Sequence, residues 1–223
     1  MKSSDLRSPG SPRTGEPNPE ALSAVAETVA RYDHIAAQFA AEWGDLRLER
    51  ALAAFNRRVT GQRRVLDLGC GPGRDVEFLM ELGCRVVGLD LSVGMLAEGR
   101  HRLPDALFVR ADLRLLPFAS SSLDGVWACA SLLHLPHAQM PAALAEIARV
   151  LQQPGGVLYL AVKGGQGERW CTDQDGRRQF FAFYHPPDIE TALRQEGFQI
   201  LETWVAPDAA GRSESWITVI AGH

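Results

Sequence analysis

Val65-Leu66-Asp67-Leu68-Gly69-Cys70-Gly71-Pro72-Gly73 decides the fold: an apolar run holding one acid breaks into three glycines at alternate positions, and a helical pattern follows. The run predicts a buried strand over residues 64–68, and the pattern beyond it a helix over 74–81. Glycines at 69, 71 and 73 let the backbone turn sharply and approach a ligand with no Cβ in the way. The helix that starts just beyond them offers unpaired amides. Strand, bend and helix N-terminus in that order make a cofactor cradle. A dinucleotide fingerprint reads G-x-G-x-x-G, whereas here the third glycine comes one residue early and Arg74 stands in its place, which weakens a pyrophosphate reading.

Outward from this loop, short apolar runs alternate with helical stretches, the signature of βαβ units around a parallel sheet. Strands are predicted at 64–68, 85–89, 107–110, 123–129, 156–162, 199–204 and 216–221, and helices near 74–81, 94–100, 139–151 and 187–196. No helix separates the last two strands, so an antiparallel pair joined by a polar link at Asp208, Gly211 and Arg212 should close the sheet. The expected fold is α/β, Rossmann-like. It has a seven-stranded, mostly parallel sheet of order 3-2-1-4-5-7-6 with strand 7 antiparallel, helices on both faces and an N-terminal helical cap.

The 223 residues suit one domain. Residues 1–19, rich in Ser, Pro, Gly and charge, are expected to be a disordered tail. The domain then spans 20–223: a helical cap over 20–60 with its break at Gly44, a cofactor-binding half over 61–163, a hairpin or lid insertion over 164–185, and a C-terminal helix with the strand pair over 186–223. Within the insertion, Asp175-Gly176 reads as a two-residue hairpin turn between Arg169-Trp170-Cys171 and the aromatic run from Phe180 to Tyr184.

Composition narrows the function. With 46% hydrophobic and 22% charged residues the chain reads as a soluble globular protein. A net charge of −4 argues against a duplex nucleic-acid partner, which calls for a basic face. The four cysteines form no C-x-x-C pair, so neither a zinc knuckle nor a dithiol is suggested and no metal is expected. No apolar run is long enough to span a bilayer, and a cytoplasmic setting is expected.

Asp90 ends the second strand about twenty residues beyond the glycine loop, where an acid in such folds accepts hydrogen bonds from ribose hydroxyls. Asp112 ends the third strand; its carboxylate can take the exocyclic amine of adenine while Leu113 offers an amide to the ring. Asp67 precedes the glycines, where a carboxylate repels phosphate and suits a cationic ligand.

The D-x-G-x-G-x-G loop, Asp90 in Val87-Gly88-Leu89-Asp90-Leu91-Ser92, the Ala111-Asp112 pair and Leu116-Pro117-Phe118 resemble class I S-adenosylmethionine-dependent methyltransferases. The likeness covers most of residues 60 to 160. Val150-Leu151-Gln152-Gln153-Pro154-Gly155-Gly156 resembles that family's turn before the fifth strand, where Lys-Pro-Gly-Gly is commoner. The whole resembles the type 11 branch, which includes quinone-biosynthesis C-methyltransferases. The resemblance implies S-adenosylmethionine as cofactor, S-adenosylhomocysteine as product, and a cofactor site of Tyr32, Asp67, Gly69, Cys70, Gly71, Gly73, Asp90, Leu91, Met95, Ala111, Asp112, Leu113 and Ala130. Tyr32, in Tyr32-Asp33-His34-Ile35-Ala36, looks like the N-terminal helix motif that closes over the methionine end.

The expected activity is metal-independent methyl transfer to O, N or C of a small-molecule acceptor. Such transfer needs alignment in a water-poor pocket more than a dedicated motif. His134, in the stretch after the fourth strand, is the candidate general base, against the alternative of a helix-start residue without a catalytic part. Trp43 reads as core. Trp170, Phe180, Phe181, Phe183 and Tyr184 would supply an apolar lid, and Lys163, Arg177 and Arg178 would hold an acidic substrate group. Three alternatives stay open: a cofactor-binding sensor or partner subunit without turnover, an NAD-dependent oxidoreductase on the same sheet, and a methyltransferase acting on tRNA or protein.

Overall fold

A computed structural model describes residues 19–208 and 214–223. The predicted tail lies outside the described residues up to residue 18, and so do Gly211 and Arg212 of the predicted link. Two helices come first, α1 (Pro19–Trp43) and α2 (Glu49–Asn56), with the break at Gly44. The core then alternates β1 (Arg64–Leu68), α3 (Arg74–Glu81), β2 (Arg85–Asp90), α4 (Val93–Arg102), β3 (Leu107–Arg110), β4 (Gly125–Cys129), α5 (Met140–Val150) and β5 (Val157–Gly164). A hairpin of β6 (Glu168–Thr172) and β7 (Arg178–Ala182) precedes α6 (Pro186–Gln195), β8 (Gln199–Pro207) and β9 (Ser215–Gly222).

The main sheet has the order β3-β2-β1-β4-β5-β9-β8, the expected order once the hairpin strands are set aside. β1 runs parallel to both β2 and β4, and β9 is antiparallel to β5 and β8. Strand order reverses between β1 and β4, so the connections leaving their carboxyl ends diverge and open a crevice there. The glycine bend after β1 and Ala130-Ser131 after β4 both face that crevice.

Alternation along the strands builds two cores. Leu66, Leu68, Val126, Leu158 and Leu160 point to one face, with Leu144 and Ile147 of α5 and Ile189 and Leu193 of α6. Val65, Trp127 and Tyr159 point to the other, with Phe55 of α2 and Val76 and Leu79 of α3. There the Trp127 and Tyr159 rings stack at 3.7 Å, and Trp127 Nε1 donates to Asp75 Oδ2 at 2.8 Å, tying the sheet centre to the start of α3.

The hairpin turn differs from the two-residue turn expected. Asp173 N donates to the Arg177 carbonyl at 2.9 Å, enclosing the three residues Gln174, Asp175 and Gly176. Gly176 sits at φ +77°, the left-handed position such three-residue loops require. Asp173 Oδ1 accepts from the amides of Asp175 and Arg177, an Asx-type closure that favours the longer loop.

Candidate cofactor and acceptor site

Two connected chambers lie at the crevice. The smaller, about 180 Å³, is floored by the glycine bend and lined by Tyr32, Asp67, Gly69, Cys70, Gly71, Asp90, Leu91, Met95, Ala111, Asp112, Leu113, Ala130 and His134. The larger, about 630 Å³, extends under α1 and the hairpin. Tyr32, Phe39, Trp43, Arg74, Cys129, Ala130 and His134 border both. All but one of the residues expected around the cofactor therefore meet in the smaller chamber. Gly73 is the exception: it caps α3 at φ +82° and faces Phe108 and Leu103, where a Cβ would lie 3.0 Å from Phe108 Cζ. Its missing side chain makes room for packing beneath the loop.

Asp67 is 2% exposed and its Oδ2 has no hydrogen-bond partner. Burial, with Asp75 close by, pushes its carboxyl well above the usual range, against the pull of Arg74 and the Val76 amide. An orphaned carboxylate oxygen on the wall of a cavity is a place for a cation. Asp90 organises the bend: Oδ2 accepts from the Gly71 amide and Oδ1 from the Ser92 amide, both at 2.9 Å. Burial raises its pKa, and those amides restrain the rise.

Asp112 is engaged in a way the sequence did not announce. Arg114 grips it in a fork, with Nε on Oδ1 at 2.9 Å and Nη2 on Oδ2 at 2.5 Å, and reaches Gln139 Oε1 with Nη1 at 2.7 Å. Burial acts upward on this carboxyl, but the Arg114 hydrogen bonds outweigh it and hold the pKa low.

α1 reaches the site through Asp33. Its Oδ1 accepts from Ser92 Oγ at 2.6 Å and from the Gly94 amide at 2.8 Å, so one helix supplies the cap of another. Ser92 Oγ in turn accepts from the Met95 amide. This anchors α1 to the loop that carries Asp90 and lays Tyr32, Phe39 and Trp43, at helical spacing, along the chamber walls. Trp43, expected in the core, is thus a wall residue. The 3.6-residue period that grouped it with Phe39 contained the signal, but period alone does not say whether a face meets core or cavity.

His134 sits in a 3-10 turn after β4 (Leu132–His134). Its Nδ1 lies 2.8 Å from the Phe180 carbonyl, an obligate acceptor, so Nδ1 carries the hydrogen and Nε2 the lone pair. Nε2 takes the Tyr32 hydroxyl at 2.9 Å, and that oxygen accepts from Gln179 Nε2 at 2.7 Å. Burial lowers the imidazole pKa to about 4, so the ring is neutral at physiological pH.

The cations expected to hold an acidic substrate are otherwise employed. Arg177 pairs with Asp175, and Arg178 lies over the Trp170 ring with Glu27 beside it; neither borders a chamber. Lys163 lines the larger chamber but is paired with Glu214. Gln179, Asp33 and Ser131, whose buried Oγ faces the smaller chamber without a partner, escaped the sequence reading because nothing local marks them.

No helix among the described residues is long and apolar enough to cross a membrane, and no three His, Cys, Asp or Glu side chains there converge as a metal site.

The fold and this site suit an adenosyl cofactor, and comparison with known proteins finds methyltransferases. Residues 65–156 match the family model described as a methyltransferase domain. The chain is 40% identical over 111 residues to a malonyl-[acyl-carrier protein] O-methyltransferase of Enterobacter lignolyticus, covering 49% of this chain and 43% of that protein. It is 35% identical over 140 residues to a demethylmenaquinone methyltransferase of Renibacterium salmoninarum, covering 60% and 58%. The chain spans about half the length of the curated relatives it matches. Its fold is shared with the Burkholderia thailandensis 1,6-didemethyltoxoflavin-N1-methyltransferase, solved with S-adenosylhomocysteine, at TM-score 0.73 and 20% identity over 94% of this chain and 92% of that one. Over residues 65–156 the chain carries a methyltransferase domain, and it is similar to class I S-adenosylmethionine-dependent methyltransferases.

The cofactor of that family is S-adenosylmethionine, and the residues present fit it. Asp67 offers an orphaned acceptor to an ammonium, and Asp90 keeps lone pairs for ribose hydroxyls. Above the bend there is open space, since a Cβ on Gly71 would find nothing nearer than Met95 Sδ at 4.0 Å.

Proposed function

We propose that this chain catalyses methyl transfer from S-adenosylmethionine to an O, N or C atom of a small molecule held in the larger chamber, without a metal and in the cytoplasm. The observation that carries the reading is the buried Asp67 carboxyl at the glycine bend, whose Oδ2 has no partner, in a cavity that opens across Tyr32 and His134 into a second one. A phosphate-bearing cofactor would meet a like charge there, which favours the sulfonium cofactor over a nicotinamide dinucleotide.

When bound, the cofactor supplies a methyl group made electrophilic by the adjacent sulfonium. Asp67 receives the cationic end, Asp90 the ribose, and Asp112, already oriented by Arg114, the adenine edge beside Leu113. Tyr32 and the hairpin cover the crevice and exclude water. His134 Nε2, neutral and on the boundary between the chambers, takes the proton of an acceptor hydroxyl or amine by way of Tyr32, whose hydroxyl passes its own proton to Nε2 and receives the acceptor's, while Phe180 holds the opposite ring nitrogen.

The test has two stages. Calorimetry is expected to give micromolar or tighter binding of S-adenosylhomocysteine. Incubation of a metabolite extract with methyl-labelled cofactor is expected to give a labelled small-molecule product. Binding with no labelled product and no release of S-adenosylhomocysteine would make the chain a cofactor-holding subunit. Absence of binding would end the proposal.

A further inference from the structure

We propose that Glu214 makes the larger chamber selective for flat, uncharged aromatic acceptors by neutralising the cation in its wall. The inference rests on the reading of that chamber as the acceptor site. Its walls carry Phe39, Trp43, Tyr159, Phe181, Trp204 and Trp216, which offer planar faces to a planar guest. At about 630 Å³ it falls within the range of roughly 300–1,000 Å³ that takes molecules of several rings.

Four cationic side chains also border the chamber, and each is matched by a carboxylate of the protein. Arg31 pairs with Asp173 at 3.4 Å, Arg50 with Glu202 at 3.4 Å, Arg74 with Asp75 at 2.7 Å, and Lys163 with Glu214. Lys163 is the one that matters most. It is 7% exposed, and its Nζ lies 4.4 Å from the centre of the Phe181 ring, in the aromatic wall itself. Glu214 reaches it from the segment before β9 and spends its other oxygen on Arg169 at 2.6 Å, while standing outside the chamber lining. An anionic guest would have to compete with a carboxylate already in place, and the chamber also carries Glu42. With Glu214 uncharged, Lys163 becomes an uncompensated cation facing the guest, and the selectivity inverts.

The experiment uses the full chain saturated with S-adenosylhomocysteine and measures binding of 2-naphthol and 2-naphthoate at neutral pH, a pair of the same shape differing in charge. 2-Naphthol is expected to bind at least tenfold more tightly. In Glu214→Gln the ratio is expected to move tenfold or more toward 2-naphthoate while S-adenosylhomocysteine affinity holds. Equal or tighter binding of 2-naphthoate by the native chain, no binding of either probe, or a ratio unmoved by Glu214→Gln overturns the proposal. Should Glu214→Gln fail to fold, Trp204→Ala, on the partly exposed edge strand, is the second arm. A tenfold loss of 2-naphthol supports the aromatic wall, and unchanged affinity overturns it. Failure of S-adenosylhomocysteine to bind at the outset would sink the cofactor reading instead, independently of either probe.

Discussion

Tyr32 Oη lies 2.9 Å from His134 Nε2, so the first helix and the turn after the fourth strand meet in a single hydrogen bond on the wall between the two chambers. Phe180 accepts from the far imidazole nitrogen, which leaves Nε2 its lone pair, and Gln179 donates to the tyrosine oxygen from the hairpin. The tyrosine proton points at the histidine lone pair.

Replacing His134 by Gln should lower the methyl-transfer rate by about 10²–10⁴, the usual contribution of a general base, with a smaller effect on S-adenosylhomocysteine affinity. Since burial puts the imidazole pKa at about 4, the native rate should show no inflection from this group between pH 5 and pH 8. A pH–rate profile of both proteins checks this.

The same shift carries a stability signature. The unfolded histidine titrates near ~6.5 and the folded one near 4, so between those values the unfolded chain binds more protons and acid favours unfolding. The histidine contribution is complete above about pH 6.5 and falls by about 2 kcal/mol on going from pH 7 to pH 5. Urea midpoints of native protein and His134→Gln at the two pH values isolate it, because Asp67, whose raised pKa acts in the opposite direction, is common to both.

Asp67, raised well above the usual carboxylate range by burial, must be ionised to receive a cation. Binding of S-adenosylhomocysteine should therefore release a proton, and affinity should rise with pH through the titration of the free site. Calorimetry in buffers of different ionisation enthalpy measures the proton. In Asp67→Asn the release should vanish and affinity should fall about tenfold or more, the worth of a charged hydrogen bond of about 1.5–3 kcal/mol.

Gly69 and Gly71 should behave differently when changed to Ala, although both have positive φ. A Cβ at 69 would lie 2.3 Å from Ser131 Cβ, so Gly69→Ala should fold poorly or not at all. A Cβ at 71 meets open space, so Gly71→Ala should fold with a cost of about 1–2 kcal/mol for its left-handed backbone and lose cofactor binding. Circular dichroism and calorimetry on the pair separate the two effects.

Asp33→Ala removes two hydrogen bonds at the start of α4 and should cost about 1 kcal/mol of stability, typical of a lost helix cap. Because the same carboxylate holds α1 over the smaller chamber, S-adenosylhomocysteine should also bind more weakly. Urea unfolding and calorimetry read the two consequences.

The sheet was legible because its period is local: apolar runs bounded by Gly and Asp mark each strand, and the missing helix before the last one fixes the antiparallel pair. The glycine bend and the acids after successive strands were legible for the same reason, since strand ends in such a sheet converge by topology. What sequence did not show depends on contacts between distant segments. Asp33 caps a helix some sixty residues away, and Gln179 holds Tyr32 from the hairpin. Arg114 grips Asp112 from only two residues on, but spacing alone does not say which way its side chain turns. Gly73 obeys the motif spacing yet turns toward Phe108, because a one-residue step along a tight bend redirects the missing side chain.

The cover over the crevice has a consequence for how the two compartments bind. Thr28 Oγ1 accepts from the Phe180 amide at 2.9 Å and Arg31 donates to Gln179 at 2.7 Å, so helix and hairpin are clasped into one piece that roofs both compartments. One cover thus touches both compartments. A guest that tightens this cover would raise the affinity for the other, and whatever factor the first contributes to the second, the second returns to the first.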